Sequence, residues 1–111
     1  AEAEFLRLDY VSTMRGDPRE AARAVEEIAA HASENNLSLQ LTGMLSYDAT
    51  LQQVWQVLEG SPEPVLEVWS SISRDKRHVI AKDLVFMDRV RERRFPKGWG
   101  MALRMRALDM V

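Results

Sequence analysis

The chain has 111 residues, of which 46% are hydrophobic and 29% charged, and its formal net charge is −2. This length and composition predict one soluble globular domain that spans residues 1–111, with enough apolar residues for a core. The absence of cysteine excludes disulfide bonds and thiolate metal sites, and the slightly negative charge argues against a protein devoted to nucleic acid.

A β-strand is predicted from Phe5 to Val11, close to the start of the chain. Its residues alternate in polarity, with Leu6, Leu8 and Tyr10 on one face. The residues before it, Ala1-Glu2-Ala3-Glu4, lack a methionine and are expected to be a tag remnant or disordered. Such a start is consistent with an excised segment and with an output domain that is absent from the sequence.

The first helix is predicted to begin at Asp17-Pro18-Arg19-Glu20, with the aspartate as N-cap, the proline at the first helical position and the glutamate completing a capping box. It is expected to end near Glu34. His31 lies outside the apolar stripe and is expected on the surface. The small alanines of the stripe would let the helix approach a sheet or a ligand closely. The stripe consists of Ala21, Ala24, Val25, Ile28 and Ala32.

Two further strands are predicted around a short polar turn and form an antiparallel hairpin. Apolar and polar residues alternate from Ser38 to Tyr47, and a second run of strand formers extends from Val54 to Leu58. Gln56 lies in this second run, where a buried amide without partners would cost about 1 to 3 kcal/mol. Asn36, at the preceding helix end, would also need hydrogen-bond partners for its amide. A planar heterocycle with donors and acceptors along one edge would satisfy both amides. The alternative is that Asn36 ends the helix and Gln56 faces water.

The second half of the chain repeats a helix and a strand before a late fifth strand. Ser61-Pro62 predicts the start of a helix that ends near residues 74–78. Strands are predicted from Val79 to Met87 and from Trp99 to Leu103. This order predicts an α+β, ferredoxin-like βαββαβ fold with an extra C-terminal strand, in which two helices pack on one face of a mixed, mostly antiparallel sheet.

Six short motifs follow one another along the chain. They are Tyr10-Val11-Ser12, Asn35-Asn36, Leu41-Thr42-Gly43, Gln56-Val57-Leu58-Glu59-Gly60, Asp75-Lys76-Arg77-His78, and Arg93-Arg94-Phe95 followed by Trp99 and Met101. Each motif is weak by itself. Together and in this order they resemble the BLUF domain, a blue-light sensor that uses FAD, from Phe5 to about Leu103.

The resemblance implies a flavin ring between the two helices, with Asn36 at its pyrimidine edge and Gln56 between Tyr10 and the ring. Light would drive electron and proton transfer from Tyr10 and then rotation or tautomerisation of Gln56, which leaves the flavin chemically unchanged. The implied photoactive residues are Tyr10, Gln56, Trp99 and Met101. The implied cofactor-binding residues are Ser12, Ile28, Asn36, Gln56, Ile72, Asp75, Arg77 and His78, with Asp75 near the ribityl chain and the last two near the phosphates.

The sequence departs from the usual family spacing in the hairpin and before the last strand. About two additional residues lie between Gly43 and Gln56, and an insertion of two preserves the strand parity that lets Gln56 face the flavin. Ala49 stands where the family usually has glycine, and Ser71 where a basic residue is common. Single additional residues lie between His78 and the arginines, and before Trp99.

The resemblance implies a non-enzymatic photoreceptor domain that binds FAD, or FMN, without a covalent link. Its output protein or fused effector is unknown, and an exposed apolar sheet face would favour a homodimer. The two histidines, His31 and His78, lack metal-ligand spacing, so no metal site is expected. Without a signal peptide or an apolar run of ~20 residues, the expected location is the cytoplasm, away from the membrane.

Two other functions remain open from the sequence. The first is a flavin-free, ferredoxin-like module that mediates protein association through its exposed sheet face. The second is an acylphosphatase-like hydrolase, which would need an arginine in a glycine-rich phosphate loop. The only comparable loop, Arg15-Gly16, holds a single glycine.

Overall fold

The computed structural model describes residues 4–95 and 101–106. Its elements follow the predicted order and confirm the ferredoxin-like α+β fold with an additional C-terminal strand. They are β1 (Phe5–Met14), α1 (Pro18–Ser38), β2 (Thr42–Asp48), β3 (Gln53–Gly60), α2 (Pro62–Arg74), β4 (His78–Val90) and β5 (Ala102–Arg106).

The strands form one sheet in the order β4-β1-β3-β2-β5. All pairings are antiparallel except that of β5 with β2, which is parallel. At the centre of the sheet Gln56 lies beside Tyr10 on one side and Leu45 on the other. Because side chains alternate along a strand, these residues share the face that packs on the helices. Buried core residues of this layer include Leu8, Val25, Leu45, Leu58 and Val65.

Helix α1 begins as predicted but ends later. The backbone N–H of Glu20 donates to Asp17 Oδ1 at 2.9 Å, which satisfies one of the free donors of the first turn. At the other end, helical hydrogen bonding continues until Gln40, whose φ of 58° reverses the chain. The predicted strand start at Ser38 is therefore wrong, and β2 begins at Thr42. As a result, Asn36 lies inside the last turn of α1.

The β2–β3 hairpin closes through residues 49–52. Asp48 Oδ1 accepts hydrogen bonds from the backbone N–H groups of Thr50 and Leu51, and Gln52 adopts a φ of 52°. A polar side chain therefore organises a turn that contains no glycine. The strands resume in register at Asp48 and Gln53, which keeps Gln56 on the helix face.

The last two strands differ from prediction in their bounds. Strand β4 extends to Val90, and its pairing with β1 shifts between Tyr10 and Ser12, where several residues of β4 bulge out. Strand β5 begins at Ala102, three residues later than predicted. Trp99 lies outside the described residues. Among the described residues, no helix combines the length and apolarity that crossing a bilayer requires.

Candidate functional site

A cleft of about 440 Å³ lies between the two helices and above the centre of the sheet. Aliphatic side chains of α1 and α2 form its two walls, and side-chain amides and charged groups lie at its floor and rim. The aliphatic residues are Ile28, Ala32, Val68 and Ile72. The polar residues are Glu27, His31, Asn35, Asn36, Gln56, Ser71, Asp75 and Arg77.

Gln56 joins this cleft to the core of the protein. Its side chain is 2% exposed, and its Oε1 accepts a short hydrogen bond from the Tyr10 hydroxyl. Its Nε2 donates to the sulfur of Met101 at 3.7 Å. Among the described residues the Met101 sulfur, a weak acceptor, is the one hydrogen-bond partner of Nε2. The Gln56 NH2 group, however, has two N–H donors. The amide can therefore donate further to a ligand in the cleft.

Tyr10 is buried beside Gln56 and makes two aromatic contacts. Its ring lies 5.3 Å from that of Trp69 and 6.1 Å from that of His78. Burial raises the pKa of the Tyr10 hydroxyl above its usual value, and the negative charge of Asp75 raises it further. The tyrosine thus keeps its proton at neutral pH, and its hydroxyl donates a hydrogen bond to Gln56 Oε1.

Alkaline titration is expected to reveal this raised pKa as a loss of stability. Because the Tyr10 pKa is raised in the folded state, its stabilising contribution is complete below about pH 10, the unfolded value, and falls as pH rises above it. The difference in free energy of unfolding between the wild type and Tyr10→Phe should decline by up to about 1.4 kcal/mol per pH unit there. Chemical denaturation at pH 9 to 11 measures it, and a constant difference would contradict the prediction.

Comparison of the wild type with Tyr10→Phe separates the contribution of Tyr10 to the pH dependence of stability from that of Tyr47, the second buried tyrosine. Burial, and then the neighbouring Asp48 carboxylate, also raise the pKa of Tyr47. Both proteins therefore lose stability through Tyr47 at high pH. Only the wild type has the additional contribution of Tyr10.

Ser12 and His78 lie beneath the cleft and bind each other. The His78 Nδ1 is 2.8 Å from Ser12 Oγ, and its Nε2 is 2.9 Å from the carbonyl oxygen of Ile72. Since a carbonyl only accepts, Nε2 carries a proton, and a neutral ring accepts from the Ser12 hydroxyl through Nδ1. His78 is 8% exposed and joins β1, the end of α2 and β4. Neither residue is among those that line the cleft between the helices.

Asp75 and Arg77 form an ion pair at the rim of the cleft. Arg77 Nη2 donates to Asp75 Oδ2 at 2.7 Å, and its Nε to Oδ1 at 3.0 Å. The hydrogen bond from the Arg77 side chain is the main cause that lowers the pKa of Asp75. The carboxylate is therefore ionised at neutral pH and holds the guanidinium beside the cleft.

Of the residues predicted for the site, the cleft brings together six. The predicted surface residue His31 is exposed but also lines the cleft. Glu27 and Asn35 were not predicted, although each is four residues from His31, which places all three on one face of α1. The six predicted residues that line the cleft are Ile28, Asn36, Gln56, Ile72, Asp75 and Arg77.

The chemistry of the cleft fits a planar heterocycle with a polar edge. Isoleucines from opposite helices, Ile28 and Ile72, can pack against its two faces. The buried amides of Asn36 and Gln56 can bind donors and acceptors along its edge. Arg77 offers a cation for a phosphate at the rim. Among the described residues no cluster of three or more histidine, aspartate or glutamate side chains could hold a metal ion.

Comparison with known proteins connects this site to one family. The family model described as "Sensors of blue-light using FAD" (BLUF) matches residues 5–102. The chain is 33% identical over 96 residues to the blue light- and temperature-regulated antirepressor BluF of Escherichia coli (strain K12). The match covers 86% of this chain but 22% of that relative, so the chain spans about a fifth of its length.

Solved structures show the same architecture. The dark-state structure of BlrB, a BLUF protein, has a TM-score of 0.78 and 31% identity, and the match covers 96% of this chain and 76% of that one. A bacterial light-regulated adenylyl cyclase has a TM-score of 0.78 and 28% identity over 91% of this chain and 28% of its own. Klebsiella pneumoniae BlrP1 with FMN and cyclic diGMP has a TM-score of 0.72 and 33% identity, covering 89% of this chain and 25% of its own.

Proposed function

The chain belongs to the BLUF family, the sensors of blue light using FAD, and we propose that it binds FAD in the cleft between α1 and α2 and signals through Gln56. The observation that carries this proposal is the hydrogen bond from the Tyr10 hydroxyl to Gln56 Oε1, buried at the floor of the cleft. The domain itself is a photosensory module, and any enzymatic activity would belong to another part of the protein.

The residues around Gln56 are suited to a light-driven change of hydrogen bonding. A bound flavin would absorb blue light and, once excited, would be a strong oxidant. We assign the role of electron donor to Tyr10, because its hydroxyl already donates a hydrogen bond to Gln56 Oε1, which lies at the cleft. Burial opposes any charged form of the Tyr10 side chain, whether it has lost only the proton or only the electron. The electron and the hydroxyl proton would therefore leave together for the excited cofactor and afterwards return to Tyr10, so that no net oxidation takes place.

Gln56 would then exchange the positions of its two polar ends by rotation or tautomerisation. A carboxamide suits this step because its ends differ in donor and acceptor character while its shape stays the same. In the rotated amide, Nε2 would face the Tyr10 oxygen and Oε1 would face the sulfur of Met101. The N–H contact to that sulfur would be lost, which would pass the change to β5.

The rim of the cleft favours a phosphate-bearing flavin. Arg77 is held there by Asp75, and its free donors can bind a phosphate. We assign the phosphate contact to Arg77 and not to His78, because both ring nitrogens of His78 are engaged beneath the cleft. We propose FAD as the bound form, with FMN as the competing one. Extraction of the cofactor and chromatography against both standards distinguishes them.

The decisive experiment is an absorption spectrum of the purified protein in the dark and after blue illumination. A flavin band that shifts slightly to the red and relaxes in the dark is the expected result. A flavin band that does not move would contradict the proposed signal. A protein that stays colourless after addition of FAD would favour the flavin-free interaction module instead.

Replacing Asn36 by alanine is expected to weaken flavin retention about tenfold or more, because its buried amide would no longer bind the ring edge. Glu34→Ala is the control, since Glu34 is exposed on the same helix and does not line the cleft. Titration of apo-protein with FAD measures both. Equal affinities in the two variants would count against Asn36 as an edge contact.

The output of the signal is proposed to lie outside this domain. The light-regulated cyclase and BlrP1 show that related domains occur within longer chains. On the sheet face opposite the helices, Trp55 is 37% exposed and Phe86 49% exposed. We propose this face as the surface for an output partner or a second copy of the chain. Sedimentation of dark and illuminated protein tests whether it self-associates.

A further inference from the structure

Glu59 is a fully buried carboxylate on the face of the sheet away from the cleft. Gln56 points toward the helices, and Glu59, three residues further along β3, points to the opposite face. Its side chain is 0% exposed. A buried carboxylate is stable only when hydrogen bonds or an ion pair replace its hydration.

Donors from three parts of the chain supply these bonds. Arg7 Nε of β1 donates to Oε2 at 3.2 Å, and the Thr42 hydroxyl of β2 donates to Oε1 at 3.3 Å. The backbone N–H groups of Arg94 and Phe95, which follow β4, donate at 3.0 and 2.6 Å. Glu59 therefore ties the segment after β4 to the centre of the sheet.

Arg93 strengthens the same attachment. Its Nη1 donates to Thr42 Oγ1 at 2.9 Å and to the Glu59 carbonyl oxygen at 3.2 Å, and its Nη2 donates to the Gln40 carbonyl at 2.7 Å. Its guanidinium also lies 4.7 Å above the Phe5 ring. We call Glu59 and residues 93–95 the Glu59 anchor.

The anchor lies where the chain must cross the sheet. Strand β4 is at one edge and β5 at the other, with β1, β3 and β2 between them. Glu59 belongs to β3, the middle strand, so it holds residues 94 and 95 midway between the two edges of the sheet. Shortly after the anchor, Met101 is buried against Gln56 Nε2.

We propose that Glu59 is a positioning residue for the photoactive amide: by fixing residues 93–95 it sets where β5 begins and places Met101 against Gln56. The link to the light response rests on the function proposed above. The positioning of β5 itself does not need light or flavin. Loss of the anchor should loosen β5 selectively and weaken the contact that holds Gln56 in its dark orientation.

The test is hydrogen–deuterium exchange of the dark protein, with and without FAD, in Glu59→Gln. This variant keeps the size of the side chain, but it removes the charge and replaces one of the two acceptor oxygens by an NH2 group, which cannot accept from the backbone N–H of Arg94 or Phe95 that it faces. We expect exchange in β5 to accelerate about tenfold or more, while β1 and α1 keep their wild-type rates. In the flavin-loaded protein, the dark spectrum should also return about threefold more slowly after illumination, because the Met101 sulfur would no longer favour the dark amide.

Asp9→Asn is the matched control. Asp9 lies on the same sheet face and accepts a hydrogen bond from Trp55 Nε1 at 3.3 Å, but it does not belong to the anchor. Its replacement should leave exchange in β5 and the recovery rate unchanged. If Glu59→Gln does not fold, exchange in Arg93→Met tests the anchor. This substitution removes three hydrogen bonds of the anchor and keeps an apolar stem over Phe5.

Unchanged exchange in β5, or equal acceleration throughout the sheet, would overturn the proposal. An unchanged recovery rate together with faster exchange in β5 would refute the link to Gln56. A wild-type protein that does not respond to light would refute the proposed function. The exchange result in the dark would still decide whether Glu59 positions β5.

Discussion

Tyr10→Phe is expected to keep the yellow colour of the flavin-loaded protein and to reduce the light-induced red shift to less than about a tenth of its wild-type size. The substitution removes only the hydroxyl that donates to Gln56 Oε1. The ring remains against Trp69, so the shape of the site is retained. Without that hydroxyl the proton that drives the exchange of the amide is missing. Difference spectra before and after illumination measure the result.

Tyr47→Phe is the matched control for this experiment. Tyr47 is as deeply buried as Tyr10, but its hydroxyl has no hydrogen-bond partner among the described residues. Removing it should leave the shift at full size and cost little stability. A full shift in Tyr10→Phe would eliminate Tyr10 as the electron donor. A lost shift in both variants would indicate a general effect of removing a buried hydroxyl.

Strand parity explains why the structure places Gln56 on the helix face, as the family resemblance implied. A run of strand formers identifies the strand, and an insertion of two residues in the hairpin leaves the parity unchanged. The four-residue turn after Asp48 then restores the register that places Gln56 beside Tyr10. The resemblance was needed to choose this placement over a solvent-facing Gln56, because the run from Val54 to Leu58 does not alternate in polarity.

The end of α1 was misplaced because helix and strand patterns overlap there. Leu39 and Leu41 fit both the strand alternation and a continuing helix. The backbone hydrogen bonds that decide the matter end at Gln40, a residue that takes a left-handed φ without being glycine. Such a turn has only a weak sequence signal, since most residues disfavour positive φ.

Long-range contacts account for what the sequence left undetermined. The motif that contains Glu59 is visible, but its partners Arg7 and Phe95 are distant in sequence and meet it only in the folded sheet. His78 was expected near the phosphates because of its place in a motif. Its position opposite Met14 in the β1–β4 pairing turns it inward instead, where Ser12 binds it. Periodicity describes the face of an element and not which distant residue covers it.

Gln56→Leu tests the amide itself, and we expect it to abolish the red shift while flavin remains bound. Leucine has a similar size and an apolar side chain that fits the buried site, but it offers no donor or acceptor to exchange. It also leaves the buried Tyr10 hydroxyl without its acceptor, which should lower the free energy of unfolding by about 1 to 3 kcal/mol. Difference spectroscopy and chemical denaturation measure the two effects.

Gln53→Leu provides the comparison on the same strand. Gln53 is exposed and its side chain points away from the helix face, so the same substitution should change neither the shift nor the stability appreciably. A full red shift in Gln56→Leu would show that the spectral change does not need the amide. A lost shift with unchanged stability would mean that the Tyr10 hydroxyl finds another acceptor in the variant. Together with Tyr10→Phe, the pair separates the source of the electron from the group whose hydrogen bonds change.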